Sequence, residues 1–181
     1  MDTKTPTSLT IWTIGHSTRP LEVFLDLLAR HRIEGIADVR RFPGSRRHPH
    51  YASTALEQTL ADLGIAYRWF PALGGRRRPR PDSPNVAWRS AAFRGYADYM
   101  ETGEFARAED ELIEFARRRR TAIMCAEAVW WRCHRALIAD ALCARGIPVC
   151  HILDADNPVA HPMTSAAAIV DGELSYRTPA R

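Results

Sequence analysis

The stretch TAIMCAEAVWWRCHRALIADALCARGIPVCHIL, residues 121–153, decides the fold. Thr121 to Met124 is short and apolar and predicts a buried strand. From about His134 to Arg145 the apolar positions recur at helical spacing, and Gly146 stops the helix. Ile147 to Leu153 predicts another buried strand. Strand, turn and helix followed by a second strand are the unit from which parallel sheets are built. The turn carries Cys125, Glu127, Arg132, Cys133, His134 and Arg135. In α/β proteins the carboxyl ends of strands are where ligands bind, so this turn is the first candidate site.

The same alternation extends upstream. Leu9 to Ile14 predicts a strand, with Thr18 as N-cap and Pro20 in the first turn of a helix reaching His31. Ile33 to Val39 predicts a second strand and Ile65 to Phe70 a third. Between them Ser53 is placed to cap a helix reaching Leu63, with Gly64 beyond it. Residues 71–91, with Gly74-Gly75 and an arginine run, form the longest irregular segment, and loops of that length are usually functional or disordered. Helices over about 92–100 and 104–119 follow. Near the end, Asp171-Gly172 between two short extended runs signals a β-hairpin. The expected architecture is a single α/β domain over residues 9–181, a mostly parallel sheet flanked by helices with a C-terminal hairpin. Residues 1–8 are expected to form a disordered tail.

Composition narrows the class. At 181 residues the chain can bury a core without disulfides. No apolar run is long enough to cross a bilayer, and the polar start has no signal-peptide pattern, so the expected location is the cytoplasm. Of the four cysteines, Cys143 and Cys150 fall in apolar patterns as small core residues. Net charge is +4 and Lys4 is the single lysine. Arginine gathers at Arg40-Arg41, Arg46-Arg47, Arg76-Arg77-Arg78 with Arg80, and Arg117 to Arg120. Codon bias explains such usage, and so does phosphate recognition by the planar guanidinium fork.

In a parallel sheet, His16-Ser17 after the first strand, Asp38 and Arg40 after the second, and Cys125 and Glu127 after the fourth come to one edge, with His151 near the end of the last core strand. At Gly15-His16-Ser17, Asp38-Val39-Arg40, Leu73-Gly74-Gly75, Cys125-Ala126-Glu127, Cys133-His134-Arg135 and His151-Ile152 the chain resembles the DUF488 family, from about Leu9 to Ile152. The resemblance implies an α/β domain and marks these positions as motif residues. It supplies no substrate or cofactor.

The chemistry therefore rests on the residues. Glu127 has two readings: an ion pair with Arg132, His134 or Arg135, or a general acid/base. His134 and Arg135 open a helix whose N–H groups attract anions, and Arg135 and Arg40 add bidentate partners. Alternatively Arg135 neutralises Asp38 or Glu127. His16, Ser17, Asp38, Cys133 and His151 complete the substrate-binding set, and Glu127, Cys125 and His134 the catalytic one. A thiol at Cys125 with a lowered pKa would be a nucleophile. The layout resembles cysteine phosphatases and rhodaneses. However, six residues separate Cys125 from Arg132, one more than the phosphatase pattern, and Trp130-Trp131 stand where an anion cradle wants glycines. Cys125, Cys133, His134 and His151 are metal-ligand types. No CxxC is present, and adjacent helical residues point about 100° apart, so no metal and no cofactor is expected. Arg76, Arg77 and Arg78 are the candidate nucleic-acid contacts, with Tyr51, Trp69 and Trp88 as stacking surfaces. His48 and His50 are expected in solvent. The favoured function is an enzyme acting on a small anion, a nucleotide or nucleic-acid component. The alternatives are a non-catalytic nucleic-acid or nucleotide-binding module, and a partner-binding protein in which the cluster is structural.

Overall fold

In a computed structural model, described here for residues 8–178, five parallel strands and one antiparallel strand form a single sheet. The strands are β1 (Ile11–Gly15), β2 (Gly35–Asp38), β3 (Ala66–Trp69), β4 (Thr121–Cys125), β5 (Val149–Ile152) and β6 (Val159–Ala160), in the order β3-β2-β4-β1-β5-β6. Only β6 runs against its neighbour. β7 (Ala168–Val170) and β8 (Glu173–Ser175) form the hairpin, with Asp171 and Gly172 both at positive φ. That pair of angles is what a two-residue turn between twisted strands requires. The predicted tail falls, except for Ser8, outside the described residues.

Side-chain alternation in the strands builds two cores. Trp12, Ile14, Ile36, Ala122 and Met124 point to one face, against α1 (Leu21–Arg30) and α2 (Ser53–Asp62). Ile11, Ala37, Ile123 and Cys125 point to the other, against α3 (Ala91–Met100), α4 (Gly103–Arg117) and α5 (Arg135–Ala144). Such two-faced burial explains why the strands read as continuous apolar runs. β1 and β4 are neighbours, yet β1 leads into α1 on one face and β4 into α5 on the other. The strand ends beside such a change of face are the usual neighbourhood of a ligand in these sheets.

Several local expectations change. Thr18 does not cap α1; Pro20 holds the N-cap position and no side chain caps it. Ser53 is the first residue of α2 and Ala52 precedes it as N-cap. In both places the backbone turns into the helix one or two residues from the predicted cap, so the hydroxyl is misplaced for the free N–H groups. α4 begins after Thr102, whose hydroxyl accepts from the Phe105 N–H. The long loop is tied to α3: Tyr96 and Tyr99 hydroxyls donate to the Leu73 and Ala72 carbonyls, and the Asp98 carboxylate accepts from Arg80 N–H, Ser83 and Asn85. Cys143 and Cys150 are half-buried rather than central. No helix of the described residues is long and apolar enough to cross a membrane.

Candidate functional site

At the carboxyl edge of the sheet the loops after β1 and β4 run side by side. His16 N–H donates to the Cys125 carbonyl and Ser17 N–H to the Ala126 carbonyl, each at 3.0 Å. Gly15 permits this approach: a Cβ there would lie 1.8 Å from the Glu127 carbonyl oxygen. Next to this seam is a cleft of about 270 Å³. Its floor is Cys125, Cys133 and His134; its walls include Arg41, Arg76, Arg132 and Tyr96. Glu127 and Arg40 line it too. His16 and Ser17 line a shallower hollow on the other side of Arg40. Asp38, Arg135 and His151 lie beneath, at 0%, 1% and 1% exposure, outside both hollows.

The predicted anion-holder Arg40 is committed elsewhere. Its guanidinium grips Asp38 in a bidentate pair, Nε to Oδ1 at 2.9 Å and Nη2 to Oδ2 at 2.7 Å. Nη1 donates to the Tyr51 carbonyl at 2.7 Å and faces His16 Nε2 at 3.3 Å. Tyr67 hydroxyl adds a bond to Asp38. A guanidinium only donates, so His16 Nε2 accepts and its Nδ1–H donates to the Ser17 carbonyl at 2.9 Å. Burial, with Arg40 adding to it against the Ser17 bond and Asp38, lowers His16 to about 4 and keeps it neutral. Ser17 itself has φ of 49°, so the turn after His16 is in the left-handed region.

Arg135 does not neutralise Asp38 or Glu127. Nη2 donates to the backbone carbonyl of Glu127 at 2.6 Å and Nη1 to Thr13 Oγ1 at 3.4 Å, while Nε has no partner among the described residues. From Thr13 a buried chain runs on: Thr13 Oγ1 to His151 Nδ1 at 2.7 Å, His151 Nε2 to His161 Nδ1 at 2.9 Å, and His161 Nε2 to Asp140 Oδ1 at 2.8 Å. Asp140 also accepts from Thr164 N–H, Thr164 hydroxyl and Tyr176 hydroxyl. The guanidinium end can only donate and the carboxylate end only accept, so the bonds between them line up in one direction, each N–H or O–H pointing towards Asp140. Trp130 stacks on the His151 ring at 4.4 Å, and burial, with help from His161 and Arg135, lowers His151 to about 3. His151 is therefore a buried link and not a ligand-facing group. Sequence reasoning missed Thr13, Asp140 and His161. One signal was present: Asp140 interrupts the apolar run Ala136 to Ala144, and a carboxylate there needs buried donors.

Cys133 overturns two expectations. It lies outside α5 with extended backbone (φ −134°, ψ 152°), and His134 is the N-cap. The argument from adjacent helical residues therefore does not apply, and Cys125 Sγ, Cys133 Sγ and a His134 ring nitrogen lie within 4.8 Å of one another. Second, the helix N-terminus is not free for an anion. Arg135 N–H donates to Cys133 Sγ at 3.5 Å, Ala136 N–H to the Cys133 carbonyl and Leu137 N–H to the His134 carbonyl. The acidic thiol is also not Cys125. The neighbouring Cys133 sulfur and burial push Cys125 up to about 12. Burial works to raise Cys133 as well, but the neighbouring Cys125 thiol, the Arg135 charge and the Arg135 N–H outweigh it and bring Cys133 down to about 6.

Glu127 is exposed on the rim, and its predicted ion pair with Arg132, His134 or Arg135 is not formed. Among the described residues the ion pairs also involve none of Arg41, Arg76 and Arg132. The basic run divides. Arg76 and Arg78 are exposed, whereas Arg77 turns inward over the Tyr99 ring at 3.7 Å and donates to the Gly74 carbonyl. Tyr51 is fully buried and unavailable for stacking on a base. His48 and His50 are half-buried against each other rather than free in solvent.

The chain belongs to the DUF488 family, a domain of unknown function, whose model matches residues 20–142. That span covers α1 through most of α5, including Asp38, the cleft floor and Arg135, while Gly15-His16-Ser17 and His151-Ile152 lie outside it. No curated protein and no solved structure matches the chain.

Proposed function

We propose that this protein is an enzyme acting on a small anionic ligand, a nucleotide or a nucleic-acid component, in the cleft beside Cys133. One observation carries the reading: Arg41, Arg76 and Arg132 converge on a cleft at the carboxyl edge of the sheet, and no carboxylate among the described residues pairs with them. Unpaired guanidiniums around a concave site are partners for a phosphate or carboxylate. Glu127 on the rim is the group placed to take or give a proton. Arg40 and Arg135 hold the floor and walls in place instead of touching the ligand. Four free thiols fit a reducing compartment such as the cytoplasm.

Calorimetric titration with inorganic phosphate and with nucleoside monophosphates tests the reading. Saturable binding that is lost in Arg132→Ala supports it, and absence of binding at low salt removes it. The exposed Phe42 and Trp131, beside Arg76 and Arg132 respectively, favour a second reading, in which the cleft takes the end of a single strand. That reading requires affinity for oligonucleotides that falls steeply with salt.

A further inference from the structure

We propose that Cys125, Cys133 and His134 form a binding site for a thiophilic divalent cation, Zn²⁺ foremost, with one coordination position open to the cleft. The ion site stands on its own three ligands; only the use of the open position rests on the small-anion reading.

The ligands come from three successive features of the same turn: the end of β4, the extended residue before α5, and the N-cap of α5. Their orientation is already set. His134 Nε2 lies 2.9 Å from the Val39 carbonyl oxygen. A carbonyl can only accept, so Nε2 carries the proton and Nδ1 presents its lone pair. Nδ1 lies 3.6 Å from Cys133 Sγ. A tetrahedral zinc with bonds of about 2.3 Å to sulfur and about 2.0–2.1 Å to nitrogen sets those two atoms about 3.6 Å apart. A metal-bound imidazole characteristically donates its other N–H to a carbonyl or carboxylate, and Val39 supplies the carbonyl.

The surroundings suit two thiolates. Arg135 N–H already donates to Cys133 Sγ, and the buried Arg135 guanidinium pairs with no carboxylate among the described residues. Gly75 crosses directly over the imidazole, where a Cβ would be 2.9 Å from Nδ1, so no side chain covers the ligand atom from that side. Two sulfurs and one imidazole select zinc-like ions over magnesium or calcium, which want oxygen. Three protein ligands are the number found where zinc keeps a position for water or substrate; a closed structural site has four. All three line the cleft with Glu127 and the unpaired arginines, so the remaining position faces the proposed anion.

The test uses the full chain, reduced and freed of metal. Co²⁺ is titrated first. One equivalent is expected to give a thiolate-to-cobalt charge-transfer band with tetrahedral d–d absorption, displaced by one equivalent of Zn²⁺. Cys133→Ser is expected to reduce the charge-transfer intensity to about half, since one of two sulfurs is removed. His134→Gln is expected to weaken binding, while Cys143→Ser and Cys150→Ser leave the spectrum unchanged. Because a floor variant can fail to fold, the wild-type chain supplies a second readout: Zn²⁺ should protect Cys125 and Cys133 from alkylation, but not Cys143 or Cys150. No charge-transfer band and no protection, or a band that survives the double variant Cys125→Ser, Cys133→Ser, overturns the proposal. Inorganic phosphate should then perturb the cobalt spectrum, and Arg132→Ala should abolish the perturbation without affecting metal uptake. A cobalt site indifferent to phosphate overturns the use of the open position for the anion and leaves the ion site standing. Phosphate binding without cobalt uptake overturns the ion site and leaves the anion reading standing.

Discussion

The carboxyl edge of the sheet buries two arginines and satisfies them in opposite ways. Arg40 meets Asp38 directly, two residues away in sequence, in a bidentate pair sealed by Tyr67, Tyr51 and His16. Arg135 meets no carboxylate among the described residues. Its nearest buried counterpart in the hydrogen-bond chain, Asp140, is reached only through Thr13, His151 and His161. A direct pair is a finished structural element. A cation held by a carbonyl and a hydroxyl still has electrostatic reach, and it is spent on the neighbouring Cys133 sulfur. The difference separates the half of the edge that holds the fold together from the half that lies beside the proposed site.

The largest effect that tests this contrast should come from Asp38→Asn. It leaves Arg40, 6% exposed, without its counter-charge, and breaking one side of a buried pair costs about 3–5 kcal/mol. Urea unfolding measures it; a loss below about 1 kcal/mol would mean that the pair is not the fixed element described. Thr13→Val keeps the shape but removes the hydroxyl between Arg135 and His151, at an expected cost of about 1–3 kcal/mol. If its cost equalled that of Asp38→Asn, the distinction between direct pair and neutral chain would collapse.

Acidification acts on both halves. His16 and His151 are neutral in the fold, lowered to about 4 and about 3, whereas an unfolded histidine titrates near 6.5. Below pH 6.5 the unfolded chain therefore binds more protons, and stability falls as pH drops. The His16 contribution to that fall ends near pH 4, and the His151 contribution continues towards about 3. Around His16, Arg40 and His48 oppose its protonation and Asp38 favours it. Unfolding midpoints from pH 7.0 to 4.0, a range chosen on the order of these shifts, should show a shallower decline in His16→Gln. An unchanged slope would remove His16 from the account. The smallest stability effect belongs to Arg132→Ala, within about 0.5 kcal/mol, because the side chain is exposed and unpaired. Phosphate affinity should nevertheless drop by about tenfold, the order expected for losing one charged hydrogen bond. Equal losses of stability and affinity would instead make Arg132 structural.

Much of the frame is legible from local pattern alone. Strand and helix alternation, the stops at Gly64 and Gly146, and the Asp171-Gly172 turn all depend on a few neighbouring residues, and all stand where the pattern places them. So does the gathering of His16, Asp38, Cys125 and Glu127 at one edge, which parallel strands impose on whatever follows them. The partners are different in kind. That Arg40 takes Asp38, that Arg135 takes a backbone carbonyl of Glu127, and that Glu127 remains free are choices among several arginines within similar sequence distance. Only packing depth and direction make them.

What this sequence by itself determined is the alternation of strands and helices, the mostly parallel α/β class and the list of groups brought to the sheet edge, because hydrophobic periodicity and turn chemistry are short-range. What only the tertiary structure decided is which of those groups are used up and which are open. Cys133 lies two residues before the first residue of α5 and so can share a centre with His134. Asp140 and His161, 21 residues apart, complete a chain that reaches Arg135. Burial removes water from all of these groups at once, and a polar atom without water must find a partner in space, wherever in the chain that partner lies.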